Sequence, residues 1–346
     1  MTGRRWLAVV AGIGMVGVWA GVQLAASQWN PTVFVKFGNE RDLAYASTRL
    51  GPNVFDASQE GHDGKLFYFL AHDPLLTSPA ELEPLLDVPR YRAQRVLFPL
   101  LLRPALLLGE WWLVWWMLGL NLLAVGLGVA AVGHLATGAG LSHWWGLAFA
   151  LNPGVIDEIS LSGSGVLAYA LAFGGMAAVT SRHDRWAAFA FAGAGLAREV
   201  ALLVGLAVAL WIWQEDRRRA LRLILPGLAA VAGWAIWVGQ RLSGPAGGQL
   251  GPPFRGVAEA ARVWIQTGRW LPAVLAGIVV AAAVIAWRRR WLLTAPILAF
   301  ALLAPFLIAP VWLHSYDISR AMLPVFSLLA LAVAPRRAEV SALSGK

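Results

Sequence analysis

The stretch from Gly61 to Pro99 concentrates the side chains of this chain that are able to do chemistry. It reads GHDGKLFYFLAHDP, then an acidic spacer, then YRAQRVLFPLL, between long apolar segments. Charged groups beside a bilayer are costly to keep there, so their presence favours a functional role. We therefore predict a functional site in this stretch.

Asp63 is the first candidate for a catalytic group. It lies between His62 and Gly64, and the glycine permits an unusual backbone angle or the close approach of a ligand. A carboxylate beside apolar neighbours at a membrane surface is expected to have a raised pKa and to act as a general base. The alternative is that Asp63 only caps a helix that starts near Lys65. Asp73, which precedes a proline, is a second candidate, and its ordinary role would be that of a turn residue.

Arg92 and Arg95 are three positions apart, so they share one face of a helix. Two guanidinium groups on one face near lipid headgroups are suited to hold a phosphate or a pyrophosphate. The alternative is that both side chains reach to lipid phosphates without a specific ligand.

Arg198 and Glu199 form a charged pair inside a long apolar run. The cost of burying such a pair in a bilayer favours a functional role, and a mutual structural ion pair is the alternative. Further along the chain, Asp317 and Arg320 are spaced to pair on one helical face. They belong to a short polar cluster of His314, Tyr316, Asp317 and Arg320.

Asp157 and Glu158 add acidic character to the outer side of the protein, where the other candidate residues are expected. The alternative is that they are only solvated loop charges. No cluster of residues has the spacing of metal ligands. The chain has no cysteine, which excludes disulfides, thiolate metal sites and cysteine nucleophiles.

Composition predicts an all-α polytopic membrane protein. Of 346 residues, 58% are hydrophobic and 14% are charged, against roughly 25% charged in soluble domains. The net charge of +9 does not indicate nucleic-acid binding, because most basic residues lie in short loops, where they orient a membrane protein.

We predict about ten transmembrane helices in one integral membrane domain over residues 1–346. The spans are expected near residues 6–26, 111–135, 141–156, 161–180, 186–197, 199–213, 221–240, 270–287, 291–311 and 319–335. The first is too long for a typical signal core and is expected to stay uncleaved. The fifth and sixth form a hairpin with Arg198 and Glu199 at its outer tip; the alternative is one long helix over residues 186–213.

The basic loops predict the orientation of the spans. They contain Arg4 and Arg5, Arg182 to Arg185, Arg217 to Arg219, Arg288 to Arg290, and Arg336 with Arg337. With these loops in the cytoplasm, both termini are cytoplasmic and the protein lies in the inner, or plasma, membrane. The loop over residues 27–95 is then extracytoplasmic, and we expect short interfacial helices in it.

Short motifs spread over most of the chain form a family pattern. They are His62-Asp63-Gly64, Phe67-Tyr68-Phe69-Leu70-Ala71, Tyr91-Arg92-x-x-Arg95-x-Leu97-x-Pro99-Leu100, Asn152-Pro153-Gly154, Ala197-Arg198-Glu199 and Arg320-x-x-x-Pro324. With these motifs the chain resembles multi-spanning glycosyltransferases of the GT-C superfamily. It looks closest to bacterial proteins of cell-surface glycopolymer formation, and it is more distantly similar to GPI mannosyltransferases. In those relatives an aromatic residue often stands at the position of His62.

The resemblance implies a GT-C-like fold and a hexosyltransferase that takes its sugar from a polyprenyl-phosphate donor at the extracytoplasmic face. The acceptor would be a glycan or a lipid of the cell envelope, and membrane lipids would surround the protein. Asp63 would deprotonate the acceptor hydroxyl, and arginines would hold the lipid phosphate. No cofactor is implied, because such a phosphate leaves without a nucleotide. The residues expected to contact substrate are His62, Asp73, Tyr91, Arg92, Arg95, Arg198, Glu199, His314, Tyr316, Asp317 and Arg320.

A non-catalytic flippase or transport accessory for lipid-linked glycans is the alternative function. A long outer loop that carries a carboxylate favours the enzyme, because carriers more often keep their charges near the membrane midplane. The pair Arg198 and Glu199 fits both functions equally well.

Overall fold

The computed structural model describes residues 5–57, 61–289 and 291–334, and within them the chain is all-helical, with 78% helix and no strands. The α-helices are α1 Arg5–Ala26, α2 Glu40–Leu50, α3 Asp63–His72, α4 Pro79–Leu82, α5 Pro89–Arg92, α6 Leu97–Leu102, α7 Glu110–Gly138, α8 Leu147–Ala150, α9 Pro153–Ser160, α10 Gly165–Thr180, α11 Asp184–Ala197, α12 Leu202–Trp213, α13 Arg217–Arg241, α14 Arg255–Thr267, α15 Trp270–Arg289, α16 Ala295–Leu303, α17 Ala309–Leu313, α18 Ser315–Ala321 and α19 Leu323–Val333. Short 3₁₀ turns lie at Pro31–Phe34, Glu83–Leu85, Arg103–Leu107, His143–Gly146, Glu199–Ala201, Leu292–Thr294 and Ala304–Phe306.

Four of the described helices are long and apolar enough to cross a membrane: α1, α7, α13 and α15. The pair α18 and α19 makes a fifth if it counts as one span, with a bend of 70° between its halves. Ten spans are therefore not shown, although the prediction of an all-α chain with membrane-spanning helices agrees with the structure. Of the arginines used to orient the chain, Arg4, Arg290, Arg336 and Arg337 lie outside the described residues.

The predicted span at residues 141–156 shows why the number of long helices is smaller than expected. In its place are a 3₁₀ turn, the four-residue helix α8, and a break before α9. Pro153 cannot continue a helix from the preceding turn, because it lacks a backbone donor and its ring disfavours a helical residue before it. Instead Asn152 caps α9, and its side-chain oxygen accepts a hydrogen bond of 2.9 Å from Gly154 N.

Helices α11 and α12 form the predicted hairpin at residues 184–213. Arg198 has an extended backbone, which ends α11. Phe191, seven positions before Arg198, lies against Gly205, seven positions after it. An added Cβ at Gly205 would come 2.8 Å from the Phe191 ring. Phe191 also lies against Gly175 of α10. The glycines allow three helices to meet around one buried ring, and they place the turn at Arg198 beside the rest of the bundle.

The loop over residues 27–95 contains the short helices α2, α3, α4 and α5, as the sequence predicts for this region. Helix α3 is almost wholly buried, with Tyr68 and Phe69 among the largest fully buried side chains. We expected the short helices of this loop to be interfacial. The structure instead packs α3 inside the protein, where α6 covers it and Phe98 contacts Phe67 edge to face.

Candidate functional site

Asp63 is the first residue of α3, and His62 precedes it in an extended conformation. The backbone of Gly64 lies so close to two other segments that an added Cβ would come 2.7 Å from Val35 O and 2.8 Å from Leu161 O. The glycine of the motif is therefore needed for packing, and this packing holds the start of α3 in place. The Asp63 carboxylate does not cap the helix; it is bound by side chains from distant parts of the chain.

Both oxygens of Asp63 accept hydrogen bonds from arginines. Arg92 Nη1 donates to Oδ1 at 3.0 Å, and Arg320 Nη2 donates to Oδ2. Arg92 is itself held by a fork of two hydrogen bonds, of 2.9 and 2.7 Å, to the carboxylate of Asp87. The acid at the start of α3 therefore lies between α5 and α18.

The expectation of a raised pKa for Asp63 is wrong. Burial opposes ionisation of this carboxyl, but Arg320, Arg92 and Arg95 outweigh it and hold the pKa of Asp63 well below its usual range. Asp63 is thus a carboxylate at all physiological pH values. It is a strong hydrogen-bond acceptor and a weak base for as long as both arginines remain on it.

Glu158 is the residue at the centre of the site that sequence reasoning missed. We predicted that it adds acidic character to the outer side or is only a solvated loop charge, but it is fully buried in α9. Its Oε1 accepts from Arg198 Nη1 and, at 2.8 Å, from Arg320 Nε, while its Oε2 accepts from Gly165 N at 2.9 Å. The two guanidinium groups outweigh the cost of burial and lower the pKa of Glu158 to about 2.

The sequence Gly163-Ser164-Gly165 wraps around the Glu158 carboxylate. An added Cβ at Gly165 would lie 2.5 Å from Glu158 Cδ and 2.8 Å from Arg198 Nη1. An added Cβ at Gly163 would collide with Glu158 Oε2. The glycines allow the start of α10 to approach the buried acid, so this stretch forms a cradle for the charge pair.

Arg198 and Glu199 do not form the mutual ion pair that was the alternative for them. Arg198 pairs with Glu158, and Glu199 Oε2 lies 3.4 Å from Arg95 Nε. Arg95 also donates a 2.6 Å hydrogen bond to the hydroxyl of Tyr91. The Nε of Arg198 is buried and has no hydrogen-bond partner among the described residues. One donor of this cluster is therefore free to bind a ligand.

Helix α18 brings the predicted polar cluster near Arg320 to the site around Asp63 and Glu158. Arg320 Nη1 lies 3.8 Å from Asp317 Oδ1, and His314 Nδ1 lies 3.7 Å from Asp317 Oδ2. The rings of His314 and Tyr316 stack with their centroids 5.2 Å apart. Arg320 thus contacts Asp317 of its own helix as well as Asp63 and Glu158.

Three adjoining cavities surround these groups. The central cavity has a volume of about 170 Å³, and eight of the predicted residues line it: His62, Asp63, Arg92, Arg95, Arg198, Tyr316, Asp317 and Arg320. The polar cavity, of about 440 Å³, shares His62, Asp63 and Arg92 with it. The apolar cavity, of about 370 Å³, shares Arg95, Arg198, Gln249 and Ala321 with it and is lined further by Val200, Leu203, Leu303 and Leu307.

The remaining predicted residues lie around this centre or away from it. Tyr91 and Glu199 line the apolar cavity. His314 reaches the centre only through Asp317. Asp73 lines none of the three cavities; it accepts hydrogen bonds from Thr77 Oγ1 and Ser78 N, which is the role of a turn residue.

The residues of this site suit anion binding better than metal binding. No group of three His, Asp or Glu residues that could hold a metal ion is found in the part of the chain that the structure describes. Four buried or half-buried arginines converge instead, and guanidinium groups bind phosphate through paired hydrogen bonds. No family model, curated protein or solved structure matches this chain.

Proposed function

We propose that this protein is an integral membrane glycosyltransferase that moves a sugar from a polyprenyl-phosphate donor to an acceptor of the cell envelope. The observation that supports this most is the position of Asp63. It borders a polar cavity on one side and, on the other, a central cavity that shares two arginines with an apolar cavity. A lipid phosphate needs an apolar groove beside cationic donors, and a sugar needs polar groups next to both.

In this proposal the prenyl chain lies in the apolar cavity along Leu203, Leu303 and Leu307. Its phosphate lies in the central cavity, where the unpaired Nε of Arg198 and the guanidinium of Arg95 border both spaces. Arginine suits this task because its fork of donors matches the oxygens of a phosphate. The sugar then lies next to Asp63.

The proposed transfer forms a bond between the acceptor oxygen and C1 of the sugar and breaks the bond between C1 and the phosphate oxygen. The electron pair of the broken bond leaves on the lipid phosphate, whose growing negative charge the arginines stabilise. The acceptor proton passes first to Asp63. It then goes to the released phosphate monoester or to water, since a phosphate monoester has a second pKa of about 6.

Binding of the donor would also make Asp63 a better base. Its low pKa comes from Arg320 and Arg92, which outweigh the opposite effect of burial. A phosphate that draws these guanidinium groups to its own oxygens leaves less positive charge beside the Asp63 carboxylate. The proton affinity of Asp63 therefore rises. The site would therefore bind its donor before it activates an acceptor.

We further propose that the site faces the extracytoplasmic side of the inner membrane, with both termini in the cytoplasm. The resemblance to the GT-C superfamily, described above on short motifs, supports the same reaction class. Two of those motifs, at Asp63 and Arg320, meet in a direct hydrogen bond.

The experiment measures cleavage of the donor and binding of its lipid product separately. Purified protein in lipid nanodiscs is given radiolabelled polyprenyl-phosphate mannose, glucose or galactose together with methyl glycosides and a long-chain alcohol as acceptors, and release of polyprenyl phosphate is followed. We expect release from at least one donor. Asp63→Asn should slow it about 100-fold and retain binding of undecaprenyl phosphate. Asp184→Asn is the matched control, because Asp184 is also paired with an arginine, Arg219, but does not line the cavities.

The outcomes separate the enzyme from the carrier. Release at an undiminished rate in Asp63→Asn would remove Asp63 from the mechanism. Binding of undecaprenyl phosphate together with its passage across the bilayer, and no cleavage of any donor, would identify a carrier. Failure of the wild-type protein to bind undecaprenyl phosphate would remove the lipid phosphate from the proposal.

A further inference from the structure

The polar cavity has features of its own that bear on the acceptor. It lies between α2, the start of α3 and the 3₁₀ turn at Glu83–Leu85. Its volume of about 440 Å³ exceeds that of the central cavity. Asp63 lines it, and it shares no lining residue with the apolar cavity.

Among the residues that the structure describes, the charges that line the polar cavity balance. Three cationic side chains, Arg41, Lys65 and Arg92, and three anionic ones, Asp42, Asp63 and Asp87, line it. Most of them neutralise one another: Lys65 Nζ lies 2.5 Å from Asp42 Oδ2, and Arg92 bridges Asp63 and Asp87. A cavity with equal numbers of both charges attracts neither an anionic nor a cationic ligand strongly.

His62 supplies an uncharged hydrogen-bonding group at the edge between the polar and central cavities. Burial, followed by the nearby charge of Lys36, lowers the pKa of His62, so the ring is neutral at pH 7. Its ring has no hydrogen-bond partner among residues 5–57, 61–289 and 291–334. A neutral imidazole donates with one nitrogen and accepts with the other, which suits a hydroxyl group.

The walls combine these polar groups with apolar side chains, among them Leu66, Leu85 and Leu86. Sugars present hydroxyls at their edges and apolar C–H groups on their faces, so such a wall can contact both. The apolar cavity, by contrast, has the leucine-rich lining that suits a prenyl chain, and the polar cavity has more charged and polar residues in its lining. The polar cavity is therefore suited to a different molecule from the one that fits the apolar cavity.

We propose that the polar cavity binds an uncharged carbohydrate as the acceptor, with one of its hydroxyl groups directed at Asp63. This inference rests on the proposed glycosyltransferase function and narrows its acceptor from a glycan or a lipid to a neutral glycan. An acidic glycan is disfavoured because the described residues that line the cavity include no excess of cationic groups.

The test uses saturation-transfer NMR on the full chain in nanodiscs, with empty nanodiscs subtracted. The neutral probes are methyl α-mannopyranoside, methyl α-glucopyranoside and methyl β-galactopyranoside, and the charged probe is a methyl glucuronide. We expect a signal from at least one neutral glycoside that exceeds the signal of the glucuronide. Leu85→Trp, which fills the polar cavity, should reduce that signal about tenfold.

Leu203→Trp is the matched control, because it fills the apolar cavity with the same side chain. It should weaken binding of undecaprenyl phosphate and leave the glycoside signal unchanged. Leu85→Trp should reduce the glycoside signal and leave binding of undecaprenyl phosphate unchanged. His62→Phe provides a second variant if Leu85→Trp does not fold. It keeps a ring in place, removes both nitrogens, and should lower the glycoside signal.

Three results would overturn the inference: no signal from any neutral glycoside, a stronger signal from the glucuronide, or a glycoside signal unchanged by Leu85→Trp and His62→Phe. Failure of undecaprenyl phosphate to bind would instead count against the proposed function. The two proposals therefore fail on different measurements.

Discussion

Arg320 and Asp63 are 257 positions apart, yet a guanidinium nitrogen of the first donates directly to a carboxylate oxygen of the second. This contact joins α18, near the end of the described chain, to the start of α3. Arg320 also binds Glu158 of α9, so one side chain connects three segments. The arrangement makes Arg320 a shared partner, and a ligand with its own negative charge must compete for it.

Asp63→Asn should tighten the binding of undecaprenyl phosphate. The carboxylate competes with a phosphate for Arg320 and Arg92, and an amide competes less because it has no charge. We expect a roughly tenfold lower dissociation constant, which corresponds to about 1.4 kcal/mol. Titration of the lipid into nanodiscs that contain the protein measures it. Unchanged binding in Asp63→Asn would mean that phosphate does not use these two arginines.

Glu158→Gln should destabilise the protein strongly. It leaves the buried guanidinium groups of Arg198 and Arg320 without the carboxylate between them. Breaking a buried ion pair in this way costs about 3–5 kcal/mol, to be measured by denaturation in mixed micelles with increasing sodium dodecyl sulfate. Glu259→Gln, in an exposed pair with Arg255, is the control and should unfold at the wild-type denaturant concentration. Equal midpoints for the two variants would contradict the central position of Glu158.

Gly165→Ala and Gly174→Ala make the same change in one helix and should have opposite effects. At Gly165 the new methyl group collides with Glu158 and Arg198, whereas at Gly174 it meets nothing within 4 Å. Alanine favours a helix over glycine by about 1 kcal/mol, so Gly174→Ala should be neutral or stabilising. Gly165→Ala should lower the melting temperature and reduce lipid-phosphate binding. A wild-type melting temperature for Gly165→Ala would show that the cradle around Glu158 is looser than described.

The stabilising effect of Asp63 should depend on pH in a defined way. Its pKa is lowered in the folded protein because the arginines outweigh the effect of burial. A lowered folded pKa contributes stability that is fully present above the unfolded pKa of about 3.9. That stability is lost as the pH falls from there towards the folded value.

We therefore compare the melting temperatures of the wild type and Asp63→Asn between pH 8 and pH 3. The wild type should melt higher by a constant amount down to about pH 5, and the difference should shrink below about pH 4. Taking the difference between the two proteins cancels the protonation of other carboxyl groups. A difference that grows as the pH falls from 8 to 6 would mean that the pKa of Asp63 is raised after all.

Sequence reasoning located much of the candidate site because charges in an apolar chain are conspicuous. Asp63, Arg92, Arg95, Arg198 and Arg320 are charges in a mostly apolar chain, and all of them line the central cavity. Their pairing was not predictable, because periodicity places residues only within one helix. The partners here come from α3, α5, α9 and α18 and from the turn before α12.

The burial of Glu158 was not predicted because the residues around it in the sequence are typical of an exposed loop. It follows a capped break at Asn152 and stands beside a second acid, Asp157, which is the usual pattern of a surface loop. Burial comes from elements far away, since α18 packs on α9 and supplies Arg320. The one local signal was Gly163-Ser164-Gly165, whose small residues leave room for a nearby side chain.

Only four or five of the described spans are long enough to cross a membrane by themselves, and the reason is related. Apolar content alone does not separate one long helix from short helices joined by turns. The bend of 70° between α18 and α19 falls near Pro324, and the break before α9 falls at Pro153. Proline interrupts a helix because it lacks a backbone donor and its ring clashes with the preceding turn, so these residues divide apolar stretches into shorter helices.

The apolar cavity ends at Arg95 and Arg198, and this shared boundary has a consequence for the kinetics of the proposed reaction. In the proposed reaction the prenyl donor is itself dissolved in the bilayer. The relevant concentration is then the number of donor molecules per unit area of membrane, and diluting the protein with extra lipid slows the reaction even when the total amounts stay the same.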